Sequence, residues 1–539
     1  MEASEPRKGF RRLGPAGGEL SSAFRCWHLR HPKTAATPEA LSITYMKAWP
    51  GSARAGCAPE TARIGAHPAR LFPHLAGPLP GERVIAIALV LARTAVCAYR
   101  AATQSFVHDE ALSFNLFLSH RWRDIYFNHD AANHVLFSLL VKLSMTLFGV
   151  STWAIRLPTV IASFFLMLGV WCLLESSQSR AVRWVAFAAI GLHPLILDFS
   201  VAARGYGLAL ALLAWTLYVL RTHEASPRAD VLAGALLGLG CAANFTVGFP
   251  AAGLLAALFL AGRGWDRLRR ALRVALPAAA VFYAVCGGAL LSAELNNFYV
   301  GYPTLRSSLI NLATSSIHAS TRTGLFGTDN AAAFLAFFMA PAILLFLAAD
   351  SIREWRRGEA QRILIPTAAG VAAAGVIAAH YLLGLMYPIN RTGLALMLIF
   401  GLAWALAAGN TPYRWLRGAS LLAGALLAIQ FATQFQVSYF QVWWYDRSTK
   451  EIARRVAEDS RGKPPGSTSI GATWIHQPAL EYYRKVNHIS ALRPVERTLD
   501  TLITGQDYYV LHVSDPNYAA AQGRTVLLSD PFAGIVLVK

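Results

Sequence analysis

Charge is scarce in this chain. Of 539 residues only 15% are Asp, Glu, Lys or Arg, against 55% hydrophobic, whereas a soluble domain carries about 25% charged residues. Too few charges are left to cover a water-facing surface of this size. Acids are the scarcest: 30 Asp and Glu stand against 49 Lys and Arg, a formal net charge of +19. Cysteine is rare as well, with six in all. Cys26 and Cys57 lie in the first 80 residues; Cys97, Cys172, Cys241 and Cys286 lie in apolar stretches. Their spacing fits no zinc or redox motif, so they read as small packing residues. Residues 1–80 lack an apolar run of signal-peptide length. They are basic, rich in Pro, Gly and Ala and without periodicity, and they read as a disordered tail with no chemistry assigned.

What is abundant is apolar sequence in blocks long enough to span a bilayer. Eleven such stretches run near 84–102, 156–175, 183–198, 205–221, 230–244, 247–262, 273–293, 331–349, 363–381, 393–409 and 418–435. The excess positive charge falls in the tail and in the short loops between these stretches, which argues against nucleic acid as a partner. The pair at 230–262 reads as two short helices turning between Asn244 and Pro250. The stretch 132–149 is apolar but contains Lys142. If it lies along the interface as an amphipathic helix, the turns bearing Arg180, Arg183, Arg228, Arg263, Arg267, Arg353, Arg357 and Arg362 all share the cytoplasmic side, as Lys and Arg prefer. The expected fold is therefore an all-α polytopic membrane protein of about eleven transmembrane helices over 81–436. Segments 103–155, 199–204, 294–330 and 382–392 would lie outside. Residues 437–539, with strand-like runs at 507–513, 525–530 and 534–539 and a helical run near 478–486, form a small extracytoplasmic α/β domain. None of these outer segments contains cysteine, so no disulfide framework is expected there.

The outer segments hold the polar constellations. Val107-His108-Asp109-Glu110 follows the first span. Asp109 there can act as a general base, or the acids can simply favour the start of a helix. The same loop holds Asp124, Asn128, His129, Asp130, Asn133 and His134, a set dense in candidate ligands and equally natural for a solvated loop. Arg204 sits at the joint Asp198–Tyr206, where a cation can grip phosphate or snorkel to lipid headgroups. Arg391, in Met386-Tyr387-Pro388-Ile389-Asn390-Arg391-Thr392-Gly393, runs against the charge preference of an outer loop. Anion binding is one reason for it and a salt bridge to an outer-loop acid is the other. Arg156 reads as a boundary anchor, and Arg93, inside the first stretch, is given no role.

Four stretches carry a resemblance: HDEALS at 108–113, LFGVSTWAIRLP at 147–158, DFSVAARGYGLALALL at 198–213 and YPINRTGLALM at 387–397. In order and placement they resemble the GT-C superfamily of membrane glycosyltransferases, most closely the bacterial family-39-like group of protein O-mannosyltransferases and aminoarabinose transferases. The resemblance covers roughly residues 84–450 and implies transfer of a hexosyl or pentosyl unit from a polyprenyl-phosphate donor to an extracytoplasmic glycan, lipid or protein acceptor, with inversion, in the inner (plasma) membrane. It implies Asp109 as base with Glu110 in support, and Arg391, joined by Arg204, on the donor phosphate. His108, His134, Tyr206 and Tyr387 are further substrate-binding candidates. Two departures stand out: Ala203-Arg204-Gly205-Tyr206 has no acid where many relatives do, and His134 is followed by Val135 where many have proline. No cofactor is assigned, and a divalent metal is left open. The alternatives are a secondary transporter or lipid flippase, which would show related halves and charged helices at midplane, and a membrane scaffold, which leaves the acids and arginines of the loops unexplained.

Overall fold

The computed structural model describes residues 79–539 apart from 129, 224–225, 263, 294–300, 319–323, 497–504, 516–517 and 519–522. The basic tail with Cys26 and Cys57, and also His129 and Arg263, lie outside the described residues. Helices α1 (Pro80–Thr103), α2 (His108–Ser113), α3 (Trp122–Phe127), α4 (Val135–Phe148), α5 (Thr152–Leu174), α6 (Arg180–Leu192), α7 (Pro194–Asp198), α8 (Tyr206–Thr222), α9 (Pro227–Ala243), α10 (Gly248–Ala261) and α11 (Gly264–Leu290) come first. Then follow α12 (Leu305–Ile317), α13 (Asp329–Phe334), α14 (Ala340–Arg356), α15 (Ala360–Leu383), α16 (Leu394–Asn410), α17 (Arg414–Thr433), α18 (Thr449–Asp459) and α19 (Gln477–Val486).

All eleven apolar stretches lie on helices. Among the described residues, seven helices are long and apolar enough to cross a membrane. Helix starts follow local chemistry: Pro80, Pro194 and Pro227 occupy first-turn positions that need no donor, and Ser151 accepts from the Ala154 N–H at 3.2 Å to cap α5. The stretch 183–198 is one apolar run in sequence but two helices in space. Pro194 holds His193 extended (ψ 122°) and ends α6 there. Arg93 donates to the freed Gly191 carbonyl at 2.8 Å and to Ser200 Oγ at 3.0 Å, so this half-buried cation serves the break.

Val90, Leu166, Leu213 and Leu398 join α1, α5, α8 and α16 in one apolar core, while Leu345 and Leu382 are 72% and 80% exposed. Lipid tails are as apolar as leucine, so helix association rests on close approach. A Cβ added at Gly253 would lie 2.2 Å from the Ala368 carbonyl oxygen, and one at Gly238 2.4 Å from that of Ala278. The glycines thus let α10 meet α15, and α9 meet α11, backbone against backbone.

The two ends of the helix array differ in character. At one end Arg83 pairs with Glu175 and Arg183 with Glu82, Arg221 donates to Ser176 Oγ and the Gln361 carbonyl, and the Gln178 N–H reaches Asn410. The turns 176–183, 221–222, 350–362 and 410–417 therefore meet there. The other end of α1, 24 residues away and so roughly 36 Å distant, meets the start of α5, the α7–α8 joint and the segment after α17. Helix α4 stays at this second end. His134 at its start touches Asn244, and Ser144 donates to the Ala154 carbonyl at the start of α5. Lys142 donates to the Leu118 and His120 carbonyls, ending a helical segment as a cation should.

Beyond α17 the chain forms a four-stranded sheet of β1 (Ile470–Ala472), β2 (Tyr508–His512), β3 (Val526–Asp530) and β4 (Ile535–Val538), in the order β1-β2-β4-β3. The β1–β2 pair is parallel and the other two are antiparallel. Ile452, Leu480, Tyr508, Val510 and Leu537 bury one face of it beneath α18 and α19.

Candidate active site

The site is built on the turn between α1 and α2. Glu110, in the first turn of α2, folds back to accept the Val107 N–H at 3.0 Å and also accepts the Ala203 N–H at 2.6 Å. Arg156 pairs with it through Nε at 2.8 Å and Nη2 at 2.5 Å, and both side chains are fully buried. The same guanidinium donates to the carbonyls of Ala101, Gln104 and Ser105. Arg156 is therefore no boundary anchor. It is the buried counter-charge that shapes the turn, and Glu110 ties that turn to the α7–α8 joint.

Asp109 points the other way. Its Oδ2 lies 3.0 Å from Arg391 Nη2, with the side chains 13% and 27% exposed. Trp443 also favours the charged form of the same carboxylate. Arg391 stands on a short turn, Asn390–Gly393, entered through Asn390 at φ 44°, a left-handed conformation that Asn tolerates. The Asn390 N–H donates to Asn311 Oδ1 at 2.8 Å. Arg391 also interacts electrostatically with Tyr206 and lies 5.8 Å over the Trp443 ring.

Arg204 is the second cation. It donates to Ser113 Oγ at 2.8 Å and to the Ala132 carbonyl at 3.2 Å, and it has no carboxylate partner among the described residues. Gly205 beside it is required by space, because an added Cβ would lie 2.0 Å from the Ala243 carbonyl oxygen. His134 packs its ring 5.2 Å from that of Tyr206 and contacts Asn244 through Nδ1 at 3.3 Å. Burial, then Arg204 and Arg391, holds His134 well below its ordinary value, which keeps the imidazole neutral. Burial pushes Asp109 up, but Arg391, Arg204, His108 and Trp443 together pull it below the ordinary carboxylate range.

The structure thus brings Asp109, Arg391, Arg204, His108, His134 and Tyr206 to one place. Tyr387 is elsewhere: its ring stacks on His380 at 4.2 Å and its backbone bridges Tyr302. The polar loop residues shape turns. Asn133 donates to the Ile125 and Asn128 carbonyls, Asp130 accepts the Ala132 N–H, and Asp124 accepts the Arg121 N–H. No group of three or more His, Cys, Asp or Glu converges as a metal site among the described residues. Around Asp109 the neighbouring charges are guanidiniums and Glu110 is committed to Arg156, a set that does not fit a divalent cation, so no step is routed through one.

A family model described as dolichyl-phosphate-mannose-protein mannosyltransferase matches residues 133–290. A comparison with curated proteins finds no match. Among solved structures, ArnT from Cupriavidus metallidurans bound to undecaprenyl phosphate is similar over 86% of this chain and 98% of its own, at 14% identity and a TM-score of 0.51. The chain has a GT-C fold. Weaker likenesses to other members of this fold carry no argument of their own. They are the Archaeoglobus fulgidus oligosaccharyltransferase complex with Zn and sulfate (13% identity, 76% of this chain, 62% of that one, TM-score 0.41) and the arabinofuranosyltransferase AftD from Mycobacteria (17%, 74%, 30%, 0.43).

In this GT-C protein the residues that sequence reasoning missed lie in the segment after α17. Trp443 and Tyr445 flank Asp109 and Arg391, and Asp446 accepts the His108 N–H at 2.7 Å. A run Trp443-Trp444-Tyr445-Asp446 shortly after the last apolar stretch was a legible signal, since aromatics and an acid there suit a site at the water boundary.

Proposed function

We propose that this GT-C protein transfers a sugar from a polyprenyl-phosphate donor to an acceptor hydroxyl at the extracytoplasmic face of the plasma membrane, with inversion. The observation that carries this reading is Asp109 3.0 Å from Arg391, with Arg204, which has no carboxylate partner among the described residues, beside them. One carboxylate and two guanidiniums, held on helix ends, match an acceptor proton and a leaving phosphate. An apolar cavity of about 450 Å³ lined by Ser308, Leu312, Pro388 and Met397 lies beneath the Arg391 loop and suits the first isoprene units of the tail. The undecaprenyl phosphate bound to the similar ArnT supports the same donor class.

In the reaction the acceptor oxygen attacks C1 of the sugar from the face opposite the phosphate. Its proton passes to Asp109, the C1–O bond to phosphate breaks, and the electron pair leaves on a phosphate held by Arg391 and Arg204. A carboxylate paired with arginine is a weak base. The donor phosphate competes for Arg391 and so restores basicity to Asp109 when donor is in place. Neutral His134 and the hydroxyl of Tyr206 are placed to hydrogen-bond the sugar-phosphate, and Glu110 supports the turn.

The test uses purified protein in vesicles with a set of undecaprenyl-phosphate hexose and pentose donors and envelope acceptors. Consumption of a donor with a new glycoside as product is expected. A transporter would instead move solute across the bilayer unchanged, and that result would end the transferase reading.

A further inference from the structure

We propose that Asp446, which lies beyond the last long apolar helix, is a positioning residue for the reaction: its carboxylate holds the turn that carries Asp109. The proposal rests on Asp109 being the reacting carboxylate. Asp446 is fully buried in a short helical turn, Trp444–Asp446. Its Oδ2 accepts the His108 N–H at 2.7 Å, across 338 residues of sequence, while its Oδ1 accepts the Thr449 hydroxyl at 3.2 Å and faces His476 Nδ1 at 3.5 Å. Helix α2 needs this help. The residue at its cap is Val107, whose side chain has no oxygen to accept a first-turn N–H.

The neighbouring bonds repeat the pattern. The Phe106 N–H donates to the Tyr483 hydroxyl at 2.7 Å, Ser105 Oγ donates to the Arg447 carbonyl at 2.6 Å, and His108 Nδ1 meets the Ile475 carbonyl at 2.7 Å. Ser105, Phe106 and His108 are therefore fastened to the chain beyond α17, and the next residue is Asp109. Trp443, in the same segment, lies under Arg391 at 5.8 Å. The polar C-terminal region thus sets the position of the base relative to the cations.

Turnover and donor KM are to be compared in the folded full chain, using the undecaprenyl-phosphate sugar that the parental protein consumes. Asp446→Leu removes the acceptor oxygen and is expected to lower kcat about 100-fold, the cost of roughly 1 Å of misplacement, with donor KM within about twofold. Asp446→Asn keeps an oxygen for the His108 N–H and is expected to stay within about fivefold of parental kcat. Should Asp446→Leu fail to fold, Tyr483→Phe decides: losing only the hydroxyl that holds Phe106, it is expected to lower kcat about tenfold at unchanged KM. Parental kcat in Asp446→Leu, or in Tyr483→Phe where that variant decides, overturns the proposal. So does an Asn variant as slow as the Leu variant, or a change confined to KM. Full activity of Asp109→Asn would instead remove Asp109 as the reacting carboxylate, a result separable from any of these.

Discussion

Asp109 and Arg391 lie 282 positions apart in the chain and 3.0 Å apart in space. Their pairing explains the arginine of this loop equally well as a structural bridge or as a phosphate ligand waiting for its anion, and variants separate the two. Asp109→Asn keeps the shape and loses the base, so product formation should fall by about 100-fold or more. Arg391→Gln should lower kcat/KM for the donor by a similar factor, because a phosphate contact made in the transition state is lost. The pH dependence follows from sign. The Asp109 value is depressed, so its charge is present at neutral pH and lost only as pH falls below the ordinary Asp value of about 3.9. The acid limb of kcat/KM should lie below that value in the parental protein and move upward in Arg391→Gln. An acid limb that stays put would mean that Arg391 does not act on Asp109.

The turn between α1 and α2 depends on the fully buried Glu110–Arg156 pair. Removing one partner leaves an uncompensated buried charge, which costs roughly 3–5 kcal/mol. Arg156→Leu should therefore lower the apparent melting temperature in detergent strongly. The double variant Arg156→Leu with Glu110→Leu should recover part of the loss, because neither charge then remains. A double variant less stable than Arg156→Leu would show that the bonds Glu110 accepts from the Val107 and Ala203 N–H groups outweigh the relief of its unpaired charge. The joint of α7 and α8 makes a second demand of space: Gly205→Ala should abolish activity even at normal expression, since its Cβ has no room against Ala243.

Sidedness belongs to the whole molecule. The arginine-rich turns meet at one end of the helices and the Asp109 site at the other. In a cysteine-free background, a membrane-impermeant thiol reagent should label Ser119→Cys and Met386→Cys from the same side, and Arg357→Cys from the opposite one. Labelling of the first two from different sides would leave no common aqueous site for acceptor and donor.

Much of this architecture was legible in the residues. Lipid as solvent demands long apolar stretches, and every such stretch lies on helix, with 183–198 broken in two at Pro194. Alternation and turn residues marked three of the four strands and α19, while α18 and the three-residue β1 were too short or too polar to signal. The acids at 109–110 and the arginines at 204 and 391 announced themselves by standing at span boundaries. Proximity was not legible. Which of two adjacent carboxylates faces the site and which is buried against Arg156, or that Asp446 caps a helix more than three hundred residues before it, depends on contacts between segments remote in sequence. Hydropathy and periodicity act along the chain, so the sequence by itself determined helices, strands and boundary residues. The pairing of charges acts across space, so only the tertiary structure decided how they are used.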